Sequence, residues 1–235
     1  MRYAFVLLAA AVSLLTVSAA YAQEEPVLCG DVEATIVGTE GPDKLTGTNG
    51  PDVIAALGGD DVINASGGDD LVCGGLGSDK IDAGTGNDFV FGDVSFGVPG
   101  GGADVIRGGA GDDEIFGWEG ADELYGESGA DFVVGMQGPD FMRGGHGEDI
   151  AVGGPGNDTI HGDTNADILY GAFGNDAIFG DDGADYLNGD LPFPPDMSET
   201  EVPGSYEDPN PNSDSCNGGA GNDAAEWCET TSNVP

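Results

Sequence analysis

The chain has 235 residues, 44 of them acidic and only five of them Lys or Arg, for a formal charge of −39. So acidic a balance excludes a nucleic-acid binder, whose phosphate contacts need Lys and Arg, and a binder of anionic membrane surfaces. It points instead to divalent cations as counter-charge, and it makes self-repelling disorder the reading that the placement of the acids has to answer.

Residues 1–22 carry Arg2, an apolar stretch from Phe5 to Val17 and the small-residue pattern Ala20-Tyr21-Ala22. That is the pattern of a secretory signal peptide cleaved after Ala22. The apolar stretch is shorter than the roughly 20 residues that cross a bilayer, and no later segment is long enough, so no membrane span is expected. Residues 23–37 read as an N-terminal cap, in which Ala34-Thr35-Ile36-Val37 is a starter strand with Ile36 at a core position. Four cysteines follow the leader, and an even number in an exported chain reads as two disulfides. Of the three possible pairings, joining the near neighbours Cys216 and Cys228 leaves Cys29 with Cys73. The absence of C-x-x-C and the presence of only two histidines argue against zinc.

From Gly38 a period of nine residues takes over. It holds from Gly38 to Phe91, resumes for one repeat ending at Arg107 after an insertion near 93–100, and runs from Gly108 to Asn188. A last copy lies at Gly218 to Glu226, which brings the count to 17. Position six is aspartate in every copy: Asp43, Asp52, Asp61, Asp70, Asp79, Asp88, Asp104, Asp113, Asp122, Asp131, Asp140, Asp149, Asp158, Asp167, Asp176, Asp185 and Asp223. Position eight is aliphatic or Met except at Ala151 and Ala225, and position four is glycine except at Asn165, a residue that tolerates positive φ. A disordered acidic chain has no reason to keep such a register.

The copies spell G-G-x-G-x-D-x-U-x, and the chain resembles the RTX, or haemolysin-type, calcium-binding repeat family over Gly38 to Glu226 apart from the two insertions. The resemblance implies an all-β fold, a parallel β-roll in which residues one to six form a turn, seven to nine a short strand, and two repeats one coil. Residues 38–190 would form the roll and 218–235 the last repeat with a disulfide-stapled cap. The same geometry can be argued from the residues. Glycines let turn carbonyls point inward at a cation, the strands alternate their side chains between two faces, and a core of one side chain per strand forces coil to stack on coil.

Stacking sorts the aspartates into two ladders. One is expected to hold Asp43, Asp61, Asp79, Asp104, Asp122, Asp140, Asp158, Asp176 and Asp223, and the other the remaining eight. Carboxylates repeating every ~4.8 Å cannot all ionise without compensation. Calcium between the rungs resolves the conflict, because it accepts six to eight oxygens in flexible geometry where magnesium demands an octahedron. The gaps set a ceiling of about 15 ions. Turn carbonyls such as those of Gly74, Gly77, Gly108, Gly111, Gly144, Gly147, Gly153 and Gly156 are expected to complete the sites, and folding is expected to be metal-linked. If the bound backbone requires glycine at position two, the sites whose turns carry Trp118, Met136 and Asp163 there are expected to be weaker or empty.

Outward strand positions carry Phe89, Phe91, Phe116, Tyr125, Phe132, Phe141, Tyr170, Phe179 and Tyr186, which same-face stacking between coils explains; Trp118 in a turn is left unexplained. Residues 191–217 are rich in proline and acid and read as a disordered loop. No H-E-x-x-H or G-x-S-x-G occurs and the repeats fill nearly the whole chain, so an enzyme is not expected. The sequence thus reads as a secreted, monomeric, non-catalytic calcium binder. The alternative is an adhesin that uses the calcium-loaded roll as a scaffold for a glycan, protein or cell-surface partner. RTX proteins usually leave the cell by a C-terminal signal; the leader here points to the general secretory route of a bacterium, ending in the periplasm or outside.

Overall fold

The computed structural model describes residues 27–93, 100–189, 215–221, 223–226, 228 and 230–232. The expected signal peptide, residues 94–99 of the first insertion and residues 190–214 of the second lie outside them. Among the described residues every regular element is a strand. Two parallel ten-stranded sheets face each other: one runs from Lys44–Thr46 to Thr230–Ser232, the other from Ile36–Val37 to Ala224–Glu226, and the chain alternates between them. This is the expected parallel β-roll.

Register follows from the repeat. Glu114, Ile115 and Phe116 pair with Phe132, Val133 and Val134, 18 residues on. Across the first insertion the offset is 25, with Ile106 opposite Ile81, yet the same repeat positions meet. Position eight lies between the sheets: Ile54, Ile63, Val72, Ile81, Val90, Ile106, Ile115, Leu124, Val133, Met142, Ala151, Ile160, Leu169, Ile178 and Leu187 are all buried in one continuous core. One apolar side chain per nine residues is a thin return for the backbone entropy of ordering them, so the core alone does not account for the fold.

Two features correct the sequence reading. The strands of the central coils span six residues, such as Glu114–Glu119 and Thr159–Thr164, not three. Pairing continues past position nine, with Trp118 opposite Met136, because stacked turns share one backbone conformation. The second is Ser215–Asn217, expected to be loop, which is a strand paired with Ala177–Phe179 and puts Cys216 in the core beside Ile178. It therefore occupies the rung after Asp176 that had been assigned to the Asp223 repeat. Ala224–Glu226 pairs instead with Tyr186–Asn188, which places Asp223 in the second ladder, after Asp185.

Both disulfides join the expected partners, Cys29 with Cys73 and Cys216 with Cys228, at Cα separations of 5.6 and 6.0 Å. The N-terminal cap is a small antiparallel pair, Leu28–Cys29 with Val32–Glu33, followed by the starter strand in which Ile36 pairs with Ile54. Among the described residues no helix is long and apolar enough to cross a membrane.

Candidate metal centre

The turn backbone is held open by glycine where coils touch. A Cβ at Gly138, at φ 132°, would collide with the carbonyl oxygen of Gly120 in the coil before it. In most turns position two also has positive φ, and it keeps that conformation without glycine at Leu57, Ser66, Trp118, Glu127, Met136, Asp163, Ala172 and Asp181, between 65° and 81°, though not at Thr39, Thr48 or Asp93. Left-handed backbone at a non-glycine residue costs about 1–2 kcal/mol, so stacking imposes the conformation rather than composition. The turns at Trp118, Met136 and Asp163 thus share the backbone of the glycine turns.

Within this frame the two oxygens of each aspartate have different fates. Oδ1 accepts the main-chain N–H of the aspartate one coil earlier, as from Asp104 to Asp122 and from Asp122 to Asp140, each at 2.9 Å. The bond recurs along both ladders, from Asp43 to Asp61 at 2.7 Å up to Asp185 to Asp223 at 3.1 Å. Oδ2 is buried and receives no hydrogen bond at Asp61, Asp70, Asp79, Asp88, Asp104, Asp113, Asp122, Asp131, Asp140, Asp149, Asp158, Asp167, Asp185 and Asp223. It points into the hollow before the first glycine of its own repeat. A Cβ at Gly117 would stand 2.5 Å from Asp122 Oδ2 and 2.8 Å from the carbonyl oxygen of Gly135 in the next coil. The arrangement recurs at Gly126, Gly135, Gly153, Gly162, Gly171 and Gly180.

Two oxygens that face one hollow with no donor between them repel each other, and burial without a partner costs a carboxylate heavily. Burial first, then the neighbouring rungs, pushes Asp104 and Asp158 up to about 9. Burial raises Asp79, Asp113, Asp131, Asp140 and Asp167 to about 7, and Asp88, Asp122 and Asp149 to about 6. Among the described residues no three His, Cys, Asp or Glu side chains converge on one point. A cation here would therefore be served by aspartate Oδ2 together with turn carbonyls, an all-oxygen set that suits calcium and offers zinc nothing it prefers.

The profile of the RTX calcium-binding nonapeptide repeat matches residues 37–72, 46–81, 73–94, 99–133, 125–160 and 161–191, well over half of the chain. The chain belongs to this family. No curated protein matches it as a relative. This RTX roll is accordingly a calcium-binding repeat protein, and the unpartnered Oδ2 atoms are its candidate ligands.

The first two repeats differ. Asp43 Oδ2 accepts the N–H and the hydroxyl of Thr39 at 2.6 and 2.8 Å, and Asp52 Oδ2 accepts the N–H of Thr48 at 2.6 Å. Both are candidate ligands by sequence, and in the structure each already accepts hydrogen bonds from its own turn. In the opposite sense, sequence reasoning missed Asp93. It had been taken as the start of the insertion, but Gly92 and Asp93 are positions one and two of the repeat that ends at Arg107, since the hollow before Gly92 holds Asp104 Oδ2 and the carbonyl of Gly117.

Both outer faces carry aromatic contacts, on the sheet of Lys44–Thr46 between Tyr125 and Phe141 and between His161 and Phe179, but the two sheets differ in their basic residues. The sheet that starts at Ile36 carries Phe89, Phe91, Phe116 and Phe132 in contact at 4.8–5.9 Å between ring centres, and Trp118 leans on Phe91 at 6.4 Å from the turn. The other sheet carries Lys44, Lys80, Arg107, Arg143, His146 and His161. Three of these reach the acid 20 residues on, at position two of the next coil: Arg107 to Glu127 at 3.6 Å, Arg143 to Asp163 through Nε at 2.9 Å, and His161 to Asp181 at 2.8 Å. Those contacts give non-glycine residues at positive φ a reason to be there. Two hollows on this face, about 190 and 220 Å³, are open notches that share Glu127, Arg143 and Asp163, the first also lined by Tyr125 and the second by His146 and Thr164.

Proposed function

We propose that this RTX chain is an exported, non-catalytic calcium binder whose roll folds when calcium fills the hollows between successive turns. The observation that carries the reading is the row of buried Oδ2 atoms without donors, which at Asp79, Asp104, Asp122, Asp131, Asp140, Asp158, Asp167 and Asp185 lie opposite a glycine carbonyl of the next coil. When bound, calcium supplies the positive charge that lets adjacent rungs stay ionised, so its binding free energy becomes folding free energy. Asp61 to Asp185 and Asp223 would hold it, completed by position-one carbonyls such as those of Gly74, Gly108, Gly144 and Gly153. Two disulfides and the leader-like residues 1–22 support export by the general secretory route. Circular dichroism with calcium and with chelator tests the reading: equal β content in both would sink metal-linked folding, and a magnesium titration reports selectivity.

A second reading, a surface or matrix adhesin, is favoured by the aromatic outer face around Phe89, Phe91 and Phe116. Glycan-array and cell-surface binding with calcium present separates it from a role confined to calcium.

A further inference from the structure

Asp93 is the one buried carboxylate outside position six among the described residues, 4 % exposed. In other turns the position-two carbonyl accepts the N–H of position three in the next coil: Leu57 from Leu76 at 2.9 Å, Asp163 from Asp182 at 2.8 Å, Asp181 from Ala220 at 2.7 Å. At the insertion that N–H, from Glu119, goes to the side chain, Asp93 Oδ2, at 3.0 Å. The carboxylate has taken the place of a main-chain oxygen at the point where the chain departs into the insertion. Its second oxygen, Oδ1, is buried without any hydrogen-bond partner. The charges that act on Asp93 are those of Asp122, Asp79 and Glu119, and Asp93 acts in turn on Asp104. A Cβ at Gly101 would meet both Asp93 Oδ2 and, at 2.8 Å, the Cβ of Glu119, so only glycine lets the resumed turn close over the carboxylate.

We propose that Asp93 Oδ1 is an additional calcium ligand, which gives the cradle between the Gly92–Asp104 and Gly117–Asp122 turns a carboxylate where the other turns offer only main-chain oxygen. The inference rests on the calcium reading of the repeats. Calcium affinity rises with the charge of the ligand set, so this cradle is the tightest of the roll and fills first. A buried acid surrounded by acids with no cation would only weaken the coil in which it sits, and here it lies inside the continuous stack.

Trp118 belongs to the turn that closes this cradle, which makes it an antenna for terbium bound there. The experiment uses the full chain carrying Trp227→Phe, with terbium as the calcium probe. Emission sensitised by Trp118 is expected to begin with the first equivalent of terbium, before most of the sites are filled. Adding Asp93→Asn should move the midpoint of that emission to roughly tenfold higher terbium, while saturating calcium restores the full β signal. An unshifted midpoint overturns the proposal, as does emission that arrives only with the last equivalents. The order of filling in the Trp227→Phe chain decides the matter alone if Asp93→Asn fails to fold. A chain that binds neither terbium nor calcium sinks the calcium reading itself, an outcome distinct from binding in the wrong order.

Discussion

The turn Gly38–Asp43 and the turn Gly117–Asp122 share a nonapeptide pattern and satisfy their aspartates in opposite ways. In the first, Thr39 gives its N–H and hydroxyl to Asp43 Oδ2. In the second, Asp122 Oδ2 is buried, has no donor and faces the carbonyl of Gly135. A carboxylate can be held by local donors or by a cation, and a threonine in place of the second glycine selects the local donors. The two N-terminal repeats thus form a coil whose aspartate Oδ2 atoms find donors within their own turns, beside a disulfide at Cys73 and a starter strand at Ile36. Such a coil covers the end of the stack and offers the coils that follow a template for their register.

The comparison breaks most sharply on calcium removal. Chelation should abolish most of the β signal of the interior coils, read by far-ultraviolet circular dichroism, while hydrogen exchange leaves residual protection only around residues 28–55. Uniform protection or uniform loss along the chain would erase the distinction between the two kinds of turn.

Next in size is steric. Gly138→Ala drives a methyl group into the carbonyl of Gly120, an overpacking of about 1–3 kcal/mol. With calcium present it should lower the melting temperature by roughly 5 °C or more, whereas Gly41→Ala, where a Cβ has open space, should change it little.

The pH response without calcium is smaller and has a definite sign. The interior aspartates have folded values raised from 3.8 to about 6 (Asp88, Asp122), 7 (Asp79, Asp140) and 9 (Asp104, Asp158). Protonation therefore favours the folded roll. Its stabilising effect is fully present below about pH 4 and is lost as pH rises through about 6 to 9. Calcium-free chain should be most compact near pH 4 and expand above pH 6, by light scattering; with calcium the trend reverses, since the metal needs the carboxylates ionised.

The smallest effect tests the comparison from the other side. Thr39→Gly removes the hydroxyl donor from Asp43 and restores the interior pattern, which should add one calcium to the stoichiometry measured by isothermal titration. Asp122→Asn should instead remove one. An unchanged count for Thr39→Gly would mean that the main-chain N–H of residue 39 is enough to satisfy Asp43.

Much of this was legible before any coordinates. Position eight named the core, because alternation along a short strand leaves only that side chain between the sheets, and the same logic put Phe89, Phe116 and Phe132 outside. The strand Ser215–Asn217 escaped notice because its core residue is Cys216, not an aliphatic one, and because 20 extra residues separate it from the previous rung; Asp223 was misplaced as a result. Asp93 was hidden by the insertion that follows it. Local propensity gave no sign that turns without a second glycine would keep a left-handed backbone, which coil stacking imposes at Trp118, Met136 and Asp163.

By itself the sequence determined the period, the parallel roll and which aspartates meet inside the uninterrupted blocks, since these follow from which residues recur at which spacing; the Asp223 rung beyond the second insertion did not follow from it. The tertiary structure alone decided which oxygen of each acid is already bonded. That depends on the coil above and the coil below: the N–H of one rung takes Oδ1, and only where no threonine intervenes does Oδ2 stay bare toward the hollow.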